Sequence, residues 1–185
     1  MTNATDVPHF PWIGSAFRHI NASRGSDVLD FSHAGLFGRN RWNVPGEPTL
    51  YLAGDVGVAI AEWGRQFPST YPDATIHPAQ RDMFRLHLRL GTVVDIRSSE
   101  TLRSLHAVHQ ADDFRDMNIA RALAASLRRM PHVQAMLVPS IAFLDDLSRW
   151  NLVVFLEKMP RATASWITRV DRVGPLTWSP DAGTR

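Results

Sequence analysis

The chain has 185 residues, 44% hydrophobic and 21% charged, an ordinary globular composition. It has no cysteine, which excludes disulfides, thiolate metal sites and cysteine nucleophiles and fits a reducing compartment. The formal charge is +2 from 20 basic residues, all arginine except Lys158. So small an excess, with no basic stripe, argues against direct nucleic-acid binding, while arginine's planar fork suits phosphate held at two points.

The opening residues MTNATDVPHFPW lack a basic n-region and an apolar h-region, so no signal peptide is expected. No apolar run is long enough to span a bilayer, and a soluble, cytoplasmic protein without membrane contact is the expectation. No repeat, low-complexity tract or linker divides the chain. A single domain is expected over residues 1–185, with its core at about 15–175 and loose ends.

In chain order, residues 15–20 read as a short strand carrying Arg18. Residues 21–48 are polar and rich in glycine (Gly25, Gly35, Gly38, Gly46), and read as a loop that carries function. Residues 49–53 form a compact strand. Asp55 is a candidate N-cap for a helix to about Phe67, on which Val58, Ala59, Glu62 and Trp63 lie close together. Phe84, Leu86, Leu88 and Leu90 alternate with Arg85, His87 and Arg89, the pattern of a half-buried strand, and residues 92–96 continue as β structure. Ser98 opens a short helix through Leu105. A longer helix is expected over residues 113–130, with Ala120, Leu123, Ala124 and Leu127 on one face. Strands follow at 133–138, 151–157 and 166–173, the last at an edge. Strands and helices mix without strict alternation, which predicts α+β, a mixed sheet flanked by helices.

Three stretches carry candidate chemistry: Phe17-Arg18; residues 38–46 (GRNRWNVPG) with Tyr51-Leu52-Ala53 and Ala59-Ile60-Ala61-Glu62; and Val138-Pro139-Ser140 before Asn151-Leu152-Val153-Val154-Phe155. Glu62 taken alone is the sort of helical carboxylate that is usually solvated, yet it sits in an apolar stretch and is one of only four glutamates. Trp42 and Trp63 read as packing. His106 and His109 have helical metal-ligand spacing, but only Asp112 or Asp113 stands near as a third ligand, so no metal is expected. Asp145-Asp146 reads as a solvated pair beside Ser148 and Arg149. No glycine-rich dinucleotide or P-loop pattern follows a strand.

In that order the segments resemble the RES domain, a family named for its Arg, Glu and Ser, over about residues 15–157. The resemblance implies an ADP-ribosyltransferase-like fold with a split, mixed sheet, and an NAD⁺-consuming toxin of a toxin–antitoxin pair. NAD⁺ would be substrate rather than cofactor. Cleavage of the nicotinamide–ribose bond develops positive charge on the ribose, which a carboxylate can stabilise. The roles implied are Glu62 as catalytic carboxylate, Arg18 and Arg41 on phosphates or ribose, Tyr51 against the nicotinamide side, Ser140 orienting the substrate and Asn151 holding the Ser140 loop. Either Arg39 or Arg41 fits the loop arginine. The acceptor stays open: water, phosphate or a protein side chain, the last making the chain a protein ADP-ribosyltransferase. The implied partner is an antitoxin with a helical DNA-binding region. A non-catalytic binding module is the alternative from another class.

Overall fold

The computed structural model describes residues 7–22, 26–36, 40–70, 79–105 and 110–178. Gly25, Gly38, Arg39, Tyr71 and the pair His106 and His109 lie outside these residues.

Six strands form one sheet: β1 (Phe10–Asn21), β2 (Thr49–Ala53), β3 (Ala79–Asp95), β4 (Ala135–Pro139), β5 (Trp150–Phe155) and β6 (Ile167–Trp178). Their order is β1-β2-β5-β4-β3-β6, and β1 also pairs with β3. The split sheet expected from the resemblance is therefore corrected: five strands close on themselves, and β6 lies outside on β3 as an edge strand. The cause is the length of β3. Its 17 residues pair antiparallel with β1 from Arg81 to Val93, while its last three pair parallel with β4. All the other pairings are antiparallel, so the mixed α+β class stands. The last link is narrow, since β1 meets β2 at one pair, Phe17 opposite Ala53.

Period-two alternation sorts the core. Ala16, Leu50, Leu52, Leu86, Leu88, Leu90, Ala135, Leu137, Leu152 and Val154, from all five strands of the ring, form one buried cluster that fills its inside. The intervening Val94, Ile96, Met136, Val138, Val153 and Phe155 pack outward against Leu102, Ala120, Leu123, Ala124 and Leu127 of the helices α2 (Ser99–Ser104) and α3 (Met117–Arg128). All five residues of β4 are buried, which explains why that strand reads as a continuous apolar run. A third cluster seats Val58 and Ala59 of α1 (Val56–Thr70) on Phe17, Ala53 and Met83.

The remaining differences from the sequence reading have local causes. β1 begins five residues before the predicted strand, because pairing with β3 recruits residues whose alternation is blurred by small Gly14, Ser15 and Ala16. The helix expected over 113–130 is broken at Asp116. That residue has extended backbone and its Oδ1 accepts from the Asn118 amide at 2.7 Å, so it caps α3. A 3₁₀ turn, Ala111–Arg115, precedes it. β5 stops at Phe155, where Leu156–Lys158 turns into another 3₁₀ helix. Asp55 and Ser98 cap α1 and α2 as expected, accepting from Val58 N at 2.9 Å and Thr101 N at 3.4 Å. No helix among the described residues is long and apolar enough to cross a membrane.

Candidate functional site

A cavity of about 400 Å³ opens where β1 and β2 diverge, under the first turns of α1 and the loop before β2. Among the described residues its charged walls are Arg18, Arg41, Arg65 and Glu62. Three guanidiniums against one carboxylate there leave two positive charges in excess, which favours an anionic guest.

Glu62 stands one turn beyond Val58 and Ala59, where the buried face of α1 reaches the cavity. Its Oε1 accepts from Ser140 Oγ at 2.6 Å, from Asn151 Nδ2 at 3.2 Å and from the Ala142 amide at 3.4 Å. Its Oε2 faces Arg65 Nη1 at 3.5 Å. The sheet brings these distant residues together. β4 and β5 run antiparallel with Val138 opposite Asn151, so Ser140, just past the end of β4, lies beside Asn151. Ser140 is fully buried, and its Oγ also accepts from Ala142 N at 3.3 Å, capping the turn Ile141–Phe143. Asp55 anchors the start of α1 from the same side, holding Arg149 Nη1 at 2.8 Å.

Arg18 and Arg41 also reach the cavity, but both spend donors on backbone carbonyls. Arg18 donates to the carbonyl of Val28 and to that of Asp30 at 3.2 Å, and lies over the Phe31 ring at 5.0 Å. Arg41 Nη1 donates to the carbonyls of Phe114 at 2.7 Å and Arg115 at 2.6 Å. Burial lowers the proton affinity of both; at Arg18, Asp30 and Asp27 act in the opposite sense. Next to burial, the neighbouring Arg65 charge is the largest influence on Arg41. Each of the two arginines thus ties a loop to the cavity wall: residues 28–31 for Arg18 and the 3₁₀ turn before α3 for Arg41.

Tyr51 lies in the wall with its hydroxyl committed. It donates to Asn43 Oδ1 at 2.7 Å and accepts from the Trp42 amide at 3.0 Å. Burial raises its pKa, so the phenol stays protonated. The buried Asn43 relays this to the loop by donating to the carbonyl of Val44 at 2.8 Å. Gly35 closes the turn with φ +83°, and a Cβ there would stand 1.9 Å from the Glu47 carbonyl oxygen, so only glycine fits. Trp42 packs at 5.2 Å on Phe114, and Trp63 is buried beside His19 at 5.4 Å; both residues also line the cavity.

Of the sequence candidates, Arg18, Arg41, Tyr51, Glu62 and Asn151 line one cavity, and Ser140 stands behind Glu62. Sequence reasoning passed over Arg65 and His19. The signal for Arg65 was its spacing of one turn from Glu62. His19, next to Arg18, gave none, because neighbours on a strand ordinarily face opposite ways. Burial and the charges of Arg81 and Arg18 lower the His19 pKa to about 4, so its ring is neutral near pH 7. Asp146 is solvated, accepting from Ser148 N and Oγ, and Asp145 beside it is exposed. Among the described residues no group of three His, Cys, Asp or Glu side chains could hold a metal ion.

A second polar row crosses the opposite part of the sheet. Ser15 Oγ lies 3.0 Å from His87 Nδ1, and His87 Nε2 lies 2.9 Å from Asp171 Oδ2. Arg169 Nε donates to Asp171 Oδ1 at 2.7 Å. None of the four lines the cavity.

A mixed sheet closed around an apolar core, with a carboxylate held inside an arginine-lined cavity, defines an α+β protein with the makings of an enzyme site. The chain belongs to the RES domain family, whose sequence pattern matches residues 10–179. No curated protein matches it in sequence. A chain of the crystal structure of the M. tuberculosis MbcT–MbcA toxin–antitoxin complex is similar in fold, with a TM-score of 0.63 and 18% identity over 94% of this chain and 88% of that one.

Proposed function

We propose that this protein is the toxin of a toxin–antitoxin pair and consumes NAD⁺ inside the cell by cleaving its nicotinamide–ribose bond. The observation that carries this reading is Glu62, held at Oε1 by Ser140, Asn151 and Ala142 within a cavity whose charge suits a pyrophosphate. Membership of the RES family and the toxin–antitoxin description of the structural neighbour support it. The ADP-ribosyltransferase-like description of the fold belongs with this reading.

In the reaction the electrons of the glycosidic bond leave with nicotinamide, which becomes neutral, and the ribose carbon takes on positive charge. A carboxylate fixed beside that carbon stabilises the charge without having to reorganise. Ser140 and Asn151 set its orientation, so their hydrogen bonds act through Glu62. Tyr51 and Trp42 wall the nicotinamide side. Arg18 and Arg41 shape the two loops and offer their remaining N–H groups to phosphate or ribose oxygens. The nucleophile then adds to the ribose carbon and gives up its proton. Water yields ADP-ribose, and phosphate yields ADP-ribose 1″-phosphate.

The test is NAD⁺ turnover by the purified protein with and without phosphate, with products resolved by mass and a parallel incubation with cell lysate scanned for ADP-ribose on protein. NAD⁺ loss that vanishes in a folded Glu62→Ala variant is the expected result, and the product names the acceptor. A folded wild-type protein that leaves NAD⁺ intact with all three acceptors would end the proposal. The partner is tested by co-purification with the product of the adjacent gene, expected to be a helical DNA-binding protein that blocks turnover.

A further inference from the structure

We infer that Arg65 is an anion-binding residue of the cavity, taking the ligand's phosphate groups together with Arg41. The inference rests on the NAD⁺ reading for the identity of the ligand, and on the cavity alone for its charge.

Among the three described arginines that line the cavity, Arg65 is the least committed. Arg18 and Arg41 both donate to pairs of backbone carbonyls, and each holds a loop in place. Arg65 has one partner among the described residues, Glu62 Oε2 at 3.5 Å, and 44% of its side chain is exposed. That distance is beyond a well-formed charge-assisted hydrogen bond, and an ion pair so exposed is weak. Releasing it leaves Glu62 in place, because Oε1 keeps Ser140, Asn151 and Ala142. Arg65 therefore reaches the cavity wall without being needed for the position of Glu62.

Its surroundings are electrostatically unfinished. Arg65 opposes the charge of Arg41, and among the described residues Glu62 is the one carboxylate lining the cavity. A phosphate between two guanidiniums removes that repulsion and accepts from both in forked geometry. Arg65 then passes from Glu62 to the ligand, freeing Oε2 as the ribose arrives.

The experiment measures binding of ADP-ribose and of inorganic pyrophosphate by calorimetry to wild-type protein, Arg65→Ala and Arg65→Lys, with unfolding midpoints as the control for fold. Loss of a charge-assisted contact predicts roughly tenfold or greater weakening of both probes in Arg65→Ala, with partial recovery in Arg65→Lys. Adenosine, which has no phosphate, binds all three alike. In turnover, KM for NAD⁺ rises more than kcat falls. Unchanged affinity of a folded Arg65→Ala for both phosphate probes would overturn the inference, even if NAD⁺ is turned over. Pyrophosphate binding that depends on Arg65 in a protein without NAD⁺ turnover would uphold it while removing the NAD⁺ reading.

Discussion

Two polar clusters of this molecule are built from nearly the same parts. In the cavity, Ser140 and Asn151 hold Glu62, with arginines around them. Across β1, β3 and β6, Ser15, His87 and Asp171 form a row with hydrogen bonds of 3.0 and 2.9 Å, and Arg169 beside the carboxylate. The second row has the membership of a hydrolytic triad, and by residue type it is the more suggestive of the two. The difference is the cavity. Ser140 is fully buried and Glu62 opens on a cavity, whereas the side chains of His87 and Asp171 are 30% and 29% exposed on a sheet face. A hydrogen-bonded serine and carboxylate can act as catalytic machinery only where a substrate can sit beside them. The sheet-face row is a cross-strand ladder that fixes register.

The largest effect that separates the clusters is on turnover. Glu62→Gln keeps shape and loses the charge, and should lower NAD⁺ consumption by about 10²-fold or more. Asp171→Asn should leave it within about twofold, the small change expected of a surface substitution. Equal losses in the two variants would erase the distinction.

The next effect is on pH dependence. The folded pKa of His19, about 4, lies below its ordinary value of 6.5, so the unfolded chain binds the proton first. Stability from this group is complete above pH 6.5 and is lost as pH falls to 4, reaching about 3 kcal/mol by the linkage relation. His19→Phe should flatten that part of a stability curve measured by urea unfolding. Asp171 behaves otherwise: hydrogen bonds from His87 and then Arg169 lower its pKa, so its contribution persists to more acid pH and fades below the usual carboxylate range. Coincident windows for the two sites would contradict this.

The smallest effect compares the serines. Ser140→Ala removes a buried hydroxyl that serves both Glu62 and the turn after β4, costing about 1–3 kcal/mol. Ser15→Ala should cost about 0.5–1.5 kcal/mol, because solvent can reach its partner. Unfolding midpoints of the two variants give the order directly.

The elements legible in the sequence were those whose signals are local. Residues 49–53 read as a compact strand and become β2, and Asp55 and Ser98 cap the helices they precede. The apolar stripe of Ala120, Leu123, Ala124 and Leu127 packs as read, although Asp116 interrupts the helix expected around it. Closure of the sheet was not legible, because it depends on β3 pairing at both edges. The site was legible as a set of residues but not as an arrangement. Glu62 and Ser140 are 78 positions apart; the register of β4 against β5 sets Ser140 near Asn151, and the packing of α1 over the turn after β4 brings Glu62 to both. The donation of Arg18 and Arg41 to loop carbonyls also escaped the sequence, since backbone acceptors leave no mark on residue identity.

Closure of the sheet at one pair, Phe17 with Ala53, has a mechanical consequence. β1 is stitched to β3 along its length, while its other flank is a seam held at a single point, with the cavity lying along the opening. Little backbone hydrogen bonding resists widening there, so the seam is the compliant line of the ring. Any guest that touches both lips, Arg18 on β1 and Tyr51 on β2, acts as a suture. Hydrogen exchange should report it as slowed amide exchange in β1 and β2 together, with β4 unchanged.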